Sequence, residues 1–411
     1  MRLHCNFLNH GHESRLFVQQ RKMNYDGVEE FPIVRKKQPI YSYYNRFITK
    51  FLTNQDYFFS NQNFSYEFDR NFFDSSGSFF PEVIIIHFFS GMITPDSVLE
   101  LQRVTGAPVI WYLMDMAAFT GGCHYAWTCE GYRERCGNCP ALTLRGANDR
   151  SRKVWEAKRA VLDRLNSAVV AGSSWLQSQS QRSSLFGGSP HRLVPVAVDP
   201  VVFSPGRRSA ARKAMGIPEG QKLLMWGFGN LQEPRKGGAH ALAALKHLKD
   251  RGGLGDGQSL VVTIGDPKIE ETLRGLGVPN RHLGYLKGDT ALADAYAAAD
   301  AFLCPSIEDS GPMMINEALM CGTPVVAYRM GVAPDLVKTG ETGYLATLGD
   351  VEDLSLGLSN ILALTQQEAM EMSAQCRSLA ENKCHPERQH AGFMELIHSL
   401  VPAAGPQRAP A

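Results

Sequence analysis

The sequence predicts an α/β protein made of two doubly wound domains, each a parallel sheet with helices on both faces. Three observations lead there. At 411 residues the chain is too long for one ordinary core and suits two domains. Beyond about residue 80, short continuous apolar runs alternate with longer stretches of helical period. That is the pattern of strands buried on both faces and joined by crossover helices. The alternation is broken once, at Asp199-Pro200-Val201-Val202-Phe203-Ser204-Pro205-Gly206, where the prolines and the glycine read as a linker.

Taken in order, residues 1 to about 80 are the least regular. Between Tyr41 and Phe80 the chain is crowded with Tyr, Phe and Asn. Tyr44, Phe47 and Phe51 fall near helical spacing with Arg46 and Lys50 between them. This reads as a helix with its aromatic face on the core, the alternative being a membrane-surface or acceptor-binding helix. Strands are expected at 83–87, 109–113, 168–172 and 193–198. A helix over 152–165 presents Val154, Val161, Leu162 and Leu165 on one face. After the linker a basic helical stretch (207–215) leads into a second series. Its strands are expected at 223–226, 260–264, 301–304 and 325–328, and its helices near 237–249, 290–299 and 312–321. A last helix is expected over 386–400, before a Pro/Ala-rich tail expected to be disordered.

The formal net charge is +1, from 42 basic and 41 acidic residues. That balance provides no global field for gripping nucleic acid. The most apolar stretch, Phe79 to Phe89, contains Glu82 and His87 and is far shorter than the ~20 residues of a membrane span. The N-terminus shows no charged segment followed by an apolar core, so no leader is expected. Nine cysteines, an odd number spread along the chain, fit a reducing, cytoplasmic setting.

The most informative stretch is Cys304-Pro305-Ser306-Ile307-Glu308-Asp309-Ser310-Gly311-Pro312-Met313-Met314-Ile315-Asn316-Glu317-Ala318-Leu319-Met320-Cys321-Gly322-Thr323-Pro324-Val325-Val326. A strand ends at Cys304 and an acidic loop follows at its carboxyl end, where open α/β sheets bind ligands. Gly311-Pro312 opens a helix, with Pro312 expected at the first helical position; Gly322 closes it. The N–H groups and positive dipole end around Pro312, Met313 and Met314 suit a diphosphate. Glu317, little more than a turn inside, suits a ribose diol; the simpler role is complementing the helix dipole.

This stretch resembles the signature of glycosyltransferase family 4, a retaining family of GT-B fold. The signature has two acidic residues separated by seven others, then a small-residue helix end and a Gly-x-Pro-Val-Val strand. Asp309 and Glu317 have that spacing. The resemblance implies that Glu317 holds the nucleotide ribose and that Glu308 or Asp309 lies near the donor sugar. A second match is Gly227-Phe228-Gly229-Asn230-Leu231-Gln232-Glu233-Pro234-Arg235-Lys236-Gly237-Gly238. Breaking a sugar–phosphate bond builds negative charge on the leaving diphosphate, and a fixed cation stabilises it. Lys236 is the first candidate and Arg235 the second; many relatives carry an arginine where this chain has Asn230. The match runs on through Leu283-Gly284-Tyr285-Leu286, Tyr296-Ala297-Ala298-Ala299-Asp300, Gly331-Val332-Ala333-Pro334-Asp335 and Gly340-Glu341-Thr342-Gly343-Tyr344. Tyr285 is either near the base or a core tyrosine.

In the first domain, Trp111-Tyr112-Leu113-Met114-Asp115-Met116-Ala117-Ala118-Phe119-Thr120-Gly121-Gly122-Cys123-His124-Tyr125, followed by Cys129 and Cys136-Gly137-Asn138-Cys139, resembles a subgroup that builds exopolysaccharides and cell-surface glycans. That subgroup usually has His-Asp where this chain has Met114-Asp115. Asp115 and His124 are the remaining polar catalytic candidates, and Gly121 and Gly122 would approach substrate. Cys123, Cys129, Cys136 and Cys139 are either thiols or disulfides, or the ligands of a structural zinc. No Asp-x-Asp and no Walker A sequence occurs, so a site that requires no metal cofactor is expected. The resemblance implies a first strand and Gly-rich loop that are expected to be missing here, with Met1 falling inside the following helix.

Together these readings predict two Rossmann-like domains facing a cleft. Residues 1–203 form the acceptor side, 204–384 bind the nucleotide sugar, 385–401 form a helix packing back on the first domain, and 402–411 are the tail. The implied partners are a nucleotide-sugar donor and a glycan or lipid-linked acceptor, with peripheral contact at the inner membrane face. The implied activity is retaining transfer of a sugar. The alternatives are an impaired sugar-nucleotide-binding subunit or a sugar-nucleotide epimerase of the same fold.

Overall fold

The computed structural model describes residues 1–21, 25–31, 33–35, 52–60, 67–68, 80–218, 220–254 and 257–401. The expected aromatic helix around Tyr44, Phe47 and Phe51 and the tail 402–411 lie outside them. The chain divides into two units, Met1–Val194 with the residues from His390 onward, and Pro195–Gln389.

The first unit opens on the helix Arg2–Asn9. Two short pairs follow: β1 (Leu16–Val18) runs parallel to β2 (Val28–Glu30), and β3 (Ile33–Arg35) antiparallel to β4 (Glu67–Phe68). The main sheet is parallel, in the order β5 (Ile84–Ile86), β6 (Val109–Leu113), β7 (Ser167–Ala171), β8 (His191–Leu193). Every residue of β6 is buried, as its unbroken apolar run requires. The helix Pro95–Thr105 has the expected punctuation: Thr94 accepts from the Ser97 N–H, Pro95 opens it, and Gly106 closes it at φ +73°. Asp149 caps Arg150–Leu162 in the same way. The last helix is Pro386–Leu400; its buried Phe393 meets the rings of Phe7 and Tyr112.

Two sequence expectations change at the end of this unit. The fourth strand lies at 191–193 rather than 193–198, because Pro195 lacks the N–H that would continue a ladder. The division falls at 194/195 rather than 203/204, because Val198 and Phe203 are buried in the second unit's core.

The second unit is one six-stranded parallel sheet of β9 (Lys222–Phe228), β10 (Ser259–Gly265), β11 (Asn280–His282), β12 (Ala301–Cys304), β13 (Val325–Tyr328) and β14 (Gly343–Ala346). Its order is β11-β10-β9-β12-β13-β14. Counted within the unit that is 3-2-1-4-5-6, the order of a doubly wound dinucleotide-binding sheet. The strand order reverses between β9 and β12, so the loops leaving these two strands flank the switch point. Leu223, Leu224, Phe302, Leu303, Val325 and Val326 are buried in one core with the covering helices. No helix among the described residues is long and apolar enough to cross a membrane.

Candidate functional site

In the second unit the two loops at the switch point are tied together. The loop after β9 turns through Pro234–Lys236 and reaches Gly237 at φ +69°. A Cβ on Gly237 would sit 1.8 Å from the Pro305 carbonyl oxygen, so glycine is required for this approach. The Arg235 carbonyl accepts from the N–H groups of Ile307 (2.8 Å) and Glu308 (3.2 Å), which clamps the loop after β12 onto it.

The clamp brings the charged groups together. Lys236 Nζ donates to Asp309 Oδ2 at 2.6 Å, and Arg235 Nη1 to the same oxygen at 3.2 Å. Arg235 also pairs with Glu233. The other oxygen of Asp309 accepts from the Gly311 N–H at 3.2 Å. Asp309 is buried, and a buried carboxylate needs such partners. Of Glu308 and Asp309, the second therefore holds the cations; Glu308 is buried as well.

The helix entered from this loop is Met313–Met320, with Pro312 at the N-cap (ψ 112°) rather than at the first helical position. Gly311 precedes it, Met313 is exposed and Met314 is half-buried. Glu317 lies one turn inside and is buried beside Tyr296, whose hydroxyl is pushed well above its ordinary range, first by burial and then by the charge of Glu317. Asn316 anchors the helix by donating to the Val196 carbonyl at 2.9 Å. On the other side of the switch point, Tyr285 Oη donates to the Gly229 carbonyl (2.8 Å) and Asp266 accepts from the Leu231 N–H (2.9 Å). Tyr285 is exposed, which removes the core-tyrosine alternative. Asp266 had gone unnoticed; its place just after β10 was the signal available.

In the first unit the structure joins the two polar candidates. His124 Nδ1 lies 2.8 Å from Asp115 Oδ2, while Asp115 Oδ1 accepts from the Ala117 N–H at 2.7 Å. His124 Nε2 lies 3.1 Å from Ser60 Oγ, a residue that the sequence pattern gave no reason to choose. Gly121 and Gly122 have packing reasons of their own. A Cβ on Gly121 would meet the Ser151 carbonyl at 2.4 Å, and one on Gly122, at φ +127°, the Ser60 carbonyl at 2.7 Å.

Lys158 also escaped the sequence reading, although it falls between Val154 and Leu162 on the apolar side of its helix. It is buried and donates to the carbonyls of Ala117 and Thr120, fixing the segment between Asp115 and His124. Burial lowers its pKa to about 7.

The four clustered cysteines are free thiols. Burial pushes Cys136 up to about 12 and Cys139 up to about 11, and raises Cys123 well above the ordinary thiol range, so these three behave as packed apolar groups rather than nucleophiles. Among the described residues no three His, Cys, Asp or Glu side chains are placed to hold a metal ion.

Known proteins resemble this chain in sequence over its second unit and in fold over most of its length. Residues 222–363 match the family described as "Glycosyl transferases group 1", a span that contains Lys236, Asp309 and Glu317. A D-inositol 3-phosphate glycosyltransferase of Geodermatophilus obscurus is 32% identical over 234 residues, covering 53% of this chain and 48% of that protein. The chain thus spans about half the length of this curated relative. Among solved structures, a glycosyltransferase from Rickettsia africae superposes with a TM-score of 0.66 at 13% identity, covering 98% of this chain and 94% of that one. HepE of Anabaena, solved with UDP and glucose, superposes with a TM-score of 0.56 at 17% identity, covering 80% of each chain. These likenesses establish the fold, the α/β architecture with parallel sheets found in GT-B glycosyltransferases.

Proposed function

We propose that the chain is a glycosyltransferase that takes a sugar from a nucleotide-diphosphate donor and adds it, with retention of configuration, to a hydroxyl of a glycan or lipid-linked glycan. One observation carries this reading: Lys236, Arg235 and Asp309 converge at the switch point of the second unit, beside the N-terminus of Met313–Met320. The matched domain and the curated relative support the same class.

In this reading the diphosphate lies against the helix N-terminus, and Lys236 and Arg235 stabilise the charge that develops on it. Asp309 holds both cations in place before the donor arrives, so little reorganisation is needed. Glu317 receives the ribose hydroxyls, and Tyr285 stands at the base end. The bond from the sugar's anomeric carbon to the phosphate oxygen breaks, and its electron pair goes to the diphosphate. The acceptor oxygen bonds to that carbon, and its proton passes to the departing phosphate. No pair of carboxylates at glycosidase separation is needed for such a step. The site requires no metal cofactor in this account. A lipid-linked acceptor would place the protein in the cytoplasm, peripheral at the inner face of the membrane.

The test is incubation of the full chain with UDP-, GDP- and ADP-sugars and a lipid-linked acceptor, with proton NMR of the new anomeric centre. Transfer with retention supports the proposal. Binding without turnover identifies a sugar-nucleotide-binding subunit, and donor isomerisation an epimerase. Lys236→Ala should lower transfer at least about a hundredfold, the usual cost of losing one charge-stabilising donor. Unchanged turnover would remove the phosphate site from the account.

A further inference from the structure

The first and last helices of the first unit meet through three histidines that none of the preceding chemistry uses. The helix Arg2–Asn9 runs into the turn His10-Gly11-His12, and the helix Pro386–Leu400 brings His390 against it. Gly11 takes φ +79°, and the His12 N–H donates back to the Phe7 carbonyl at 3.1 Å, which fixes the turn. His12 Nε2 and His390 Nε2 then lie 2.8 Å apart, although 378 positions separate them in sequence. His10 Nδ1 donates to the Asn6 carbonyl at 2.8 Å, and its ring lies flat on that of His390, with centroids 3.8 Å apart and planes 8° from parallel. The buried ring of Phe7 stands edge-to-face with both His12 (5.7 Å) and His390 (6.0 Å).

Two imidazole nitrogens aimed at each other share either one proton or one metal ion. A hydrogen bond of this length needs one Nε2–H and one Nε2 lone pair; a metal ion takes both lone pairs. Two nitrogens bound to one ion at about 2.05 Å are about 2.9 Å apart at a right angle and about 3.3 Å apart at the tetrahedral angle. The observed 2.8 Å fits the right angle, the geometry of a tetragonal Cu²⁺ or Ni²⁺ centre rather than of zinc. Mg²⁺ and Ca²⁺ seek oxygen ligands and suit this pair poorly. His12 and His390 are half-buried, so an ion can reach them from solvent, while Phe7 and the His10 ring hold their orientation from behind.

We infer that His12 and His390 form a two-histidine site for a late transition-metal ion, Cu²⁺ before Ni²⁺, which clips the first helix of the unit to its last. The ring that carries its proton on Nε2 moves it to Nδ1, so two neutral imidazoles bind and nothing is oxidised or reduced. Among the described residues no three His, Cys, Asp or Glu side chains gather round one point, so water fills the remaining positions. A clip between segments so far apart in sequence removes more freedom from the unfolded chain than a local one, and it stabilises the fold accordingly.

The test is titration of the full chain with Cu²⁺, Ni²⁺ and Mg²⁺ near neutral pH, read by thermal unfolding and by electron paramagnetic resonance of the Cu²⁺ complex. The tightest equivalent of Cu²⁺ should show splitting from two nitrogens and raise the unfolding temperature; Ni²⁺ should do so at higher concentration, and Mg²⁺ should not. His12→Gln and His390→Gln should each weaken that equivalent at least about tenfold and leave splitting from one nitrogen. Circular dichroism of the metal-free variants checks their fold, and the nitrogen count in wild type needs no variant. A wild-type spectrum with fewer than two nitrogens would overturn the site. So would a tightest equivalent indifferent to both substitutions, or stabilisation by Mg²⁺ equal to that by Cu²⁺; the pair would then be a hydrogen bond only.

Discussion

The polar clusters of the two units are built in opposite ways. In the second unit Arg235, Lys236, Asp309, Gly311 and Glu317 come from two segments, each continuous with a strand that delivers it to the switch point. In the first, Ser60, Ser90, Asp115 and His124 come from scattered positions, and Lys158 holds the intervening loop from a separate helix. One cluster is positioned by sheet topology, and the other by loop packing and a buried amine. A site of the first kind should fail when its backbone clamp is forced open. A site of the second kind should respond to the charge that pins it.

The largest expected effect is at the clamp. Gly237→Ala must move a Cβ away from the Pro305 carbonyl and hold a positive φ, at a cost of about 3 kcal/mol or more. Thermal unfolding should show that loss, and UDP affinity should fall at least about tenfold. An alanine variant with normal UDP affinity would mean that the loop contact is incidental to the site.

A smaller effect is expected at Lys158, and its sign follows from its lowered pKa of about 7 against an ordinary 10.5. Between those values the unfolded chain binds more protons than the folded one, so stability rises with pH. The thiols work the other way: raised to about 12 at Cys136 and about 11 at Cys139 from 9.0, they withdraw stability as pH climbs beyond 9. Denaturant titrations should show the folded state gaining roughly 1–3 kcal/mol from pH 7 to 9, with Lys158→Met flattening that gain. A variant with the same slope as wild type would show that the amine stays charged in the fold. The smallest effect calibrates the rest. Glu368→Ala breaks the capping box with Thr365 at the start of Gln366–Cys384 and should cost about 1 kcal/mol, with UDP affinity unaltered.

Legibility followed the same division. The strands 109–113, 301–304 and 325–328 were readable to the residue, because each is an unbroken apolar run closed by turn or cap residues. β11, Asn280-Arg281-His282, was not, because a polar edge strand carries no hydrophobic period. The long helix Gln366–Cys384 also went unread, although Thr365 and Glu368 spelled out its capping box. Lys236, Asp309 and Glu317 could be named because they lie in the loops that leave β9 and β12 or just inside the helix that follows, and the structure pairs the first two. Ser60 was not, since only tertiary packing sets it against His124. Asp115 and His124 could be named but not joined: nine positions apart in sequence, they meet only because the loop between them folds back.

The central claim is that the loops after β9 and β12 cradle a diphosphate, and calorimetry tests it most directly. UDP, GDP and ADP are each titrated against their own nucleoside, into wild type and Lys236→Ala. The account predicts that at least one diphosphate binds wild type at least about tenfold more tightly than its nucleoside. It also predicts that Lys236→Ala removes most of that difference while leaving nucleoside binding alone. Diphosphate and nucleoside binding with equal affinity, or an advantage untouched in Lys236→Ala, would contradict it.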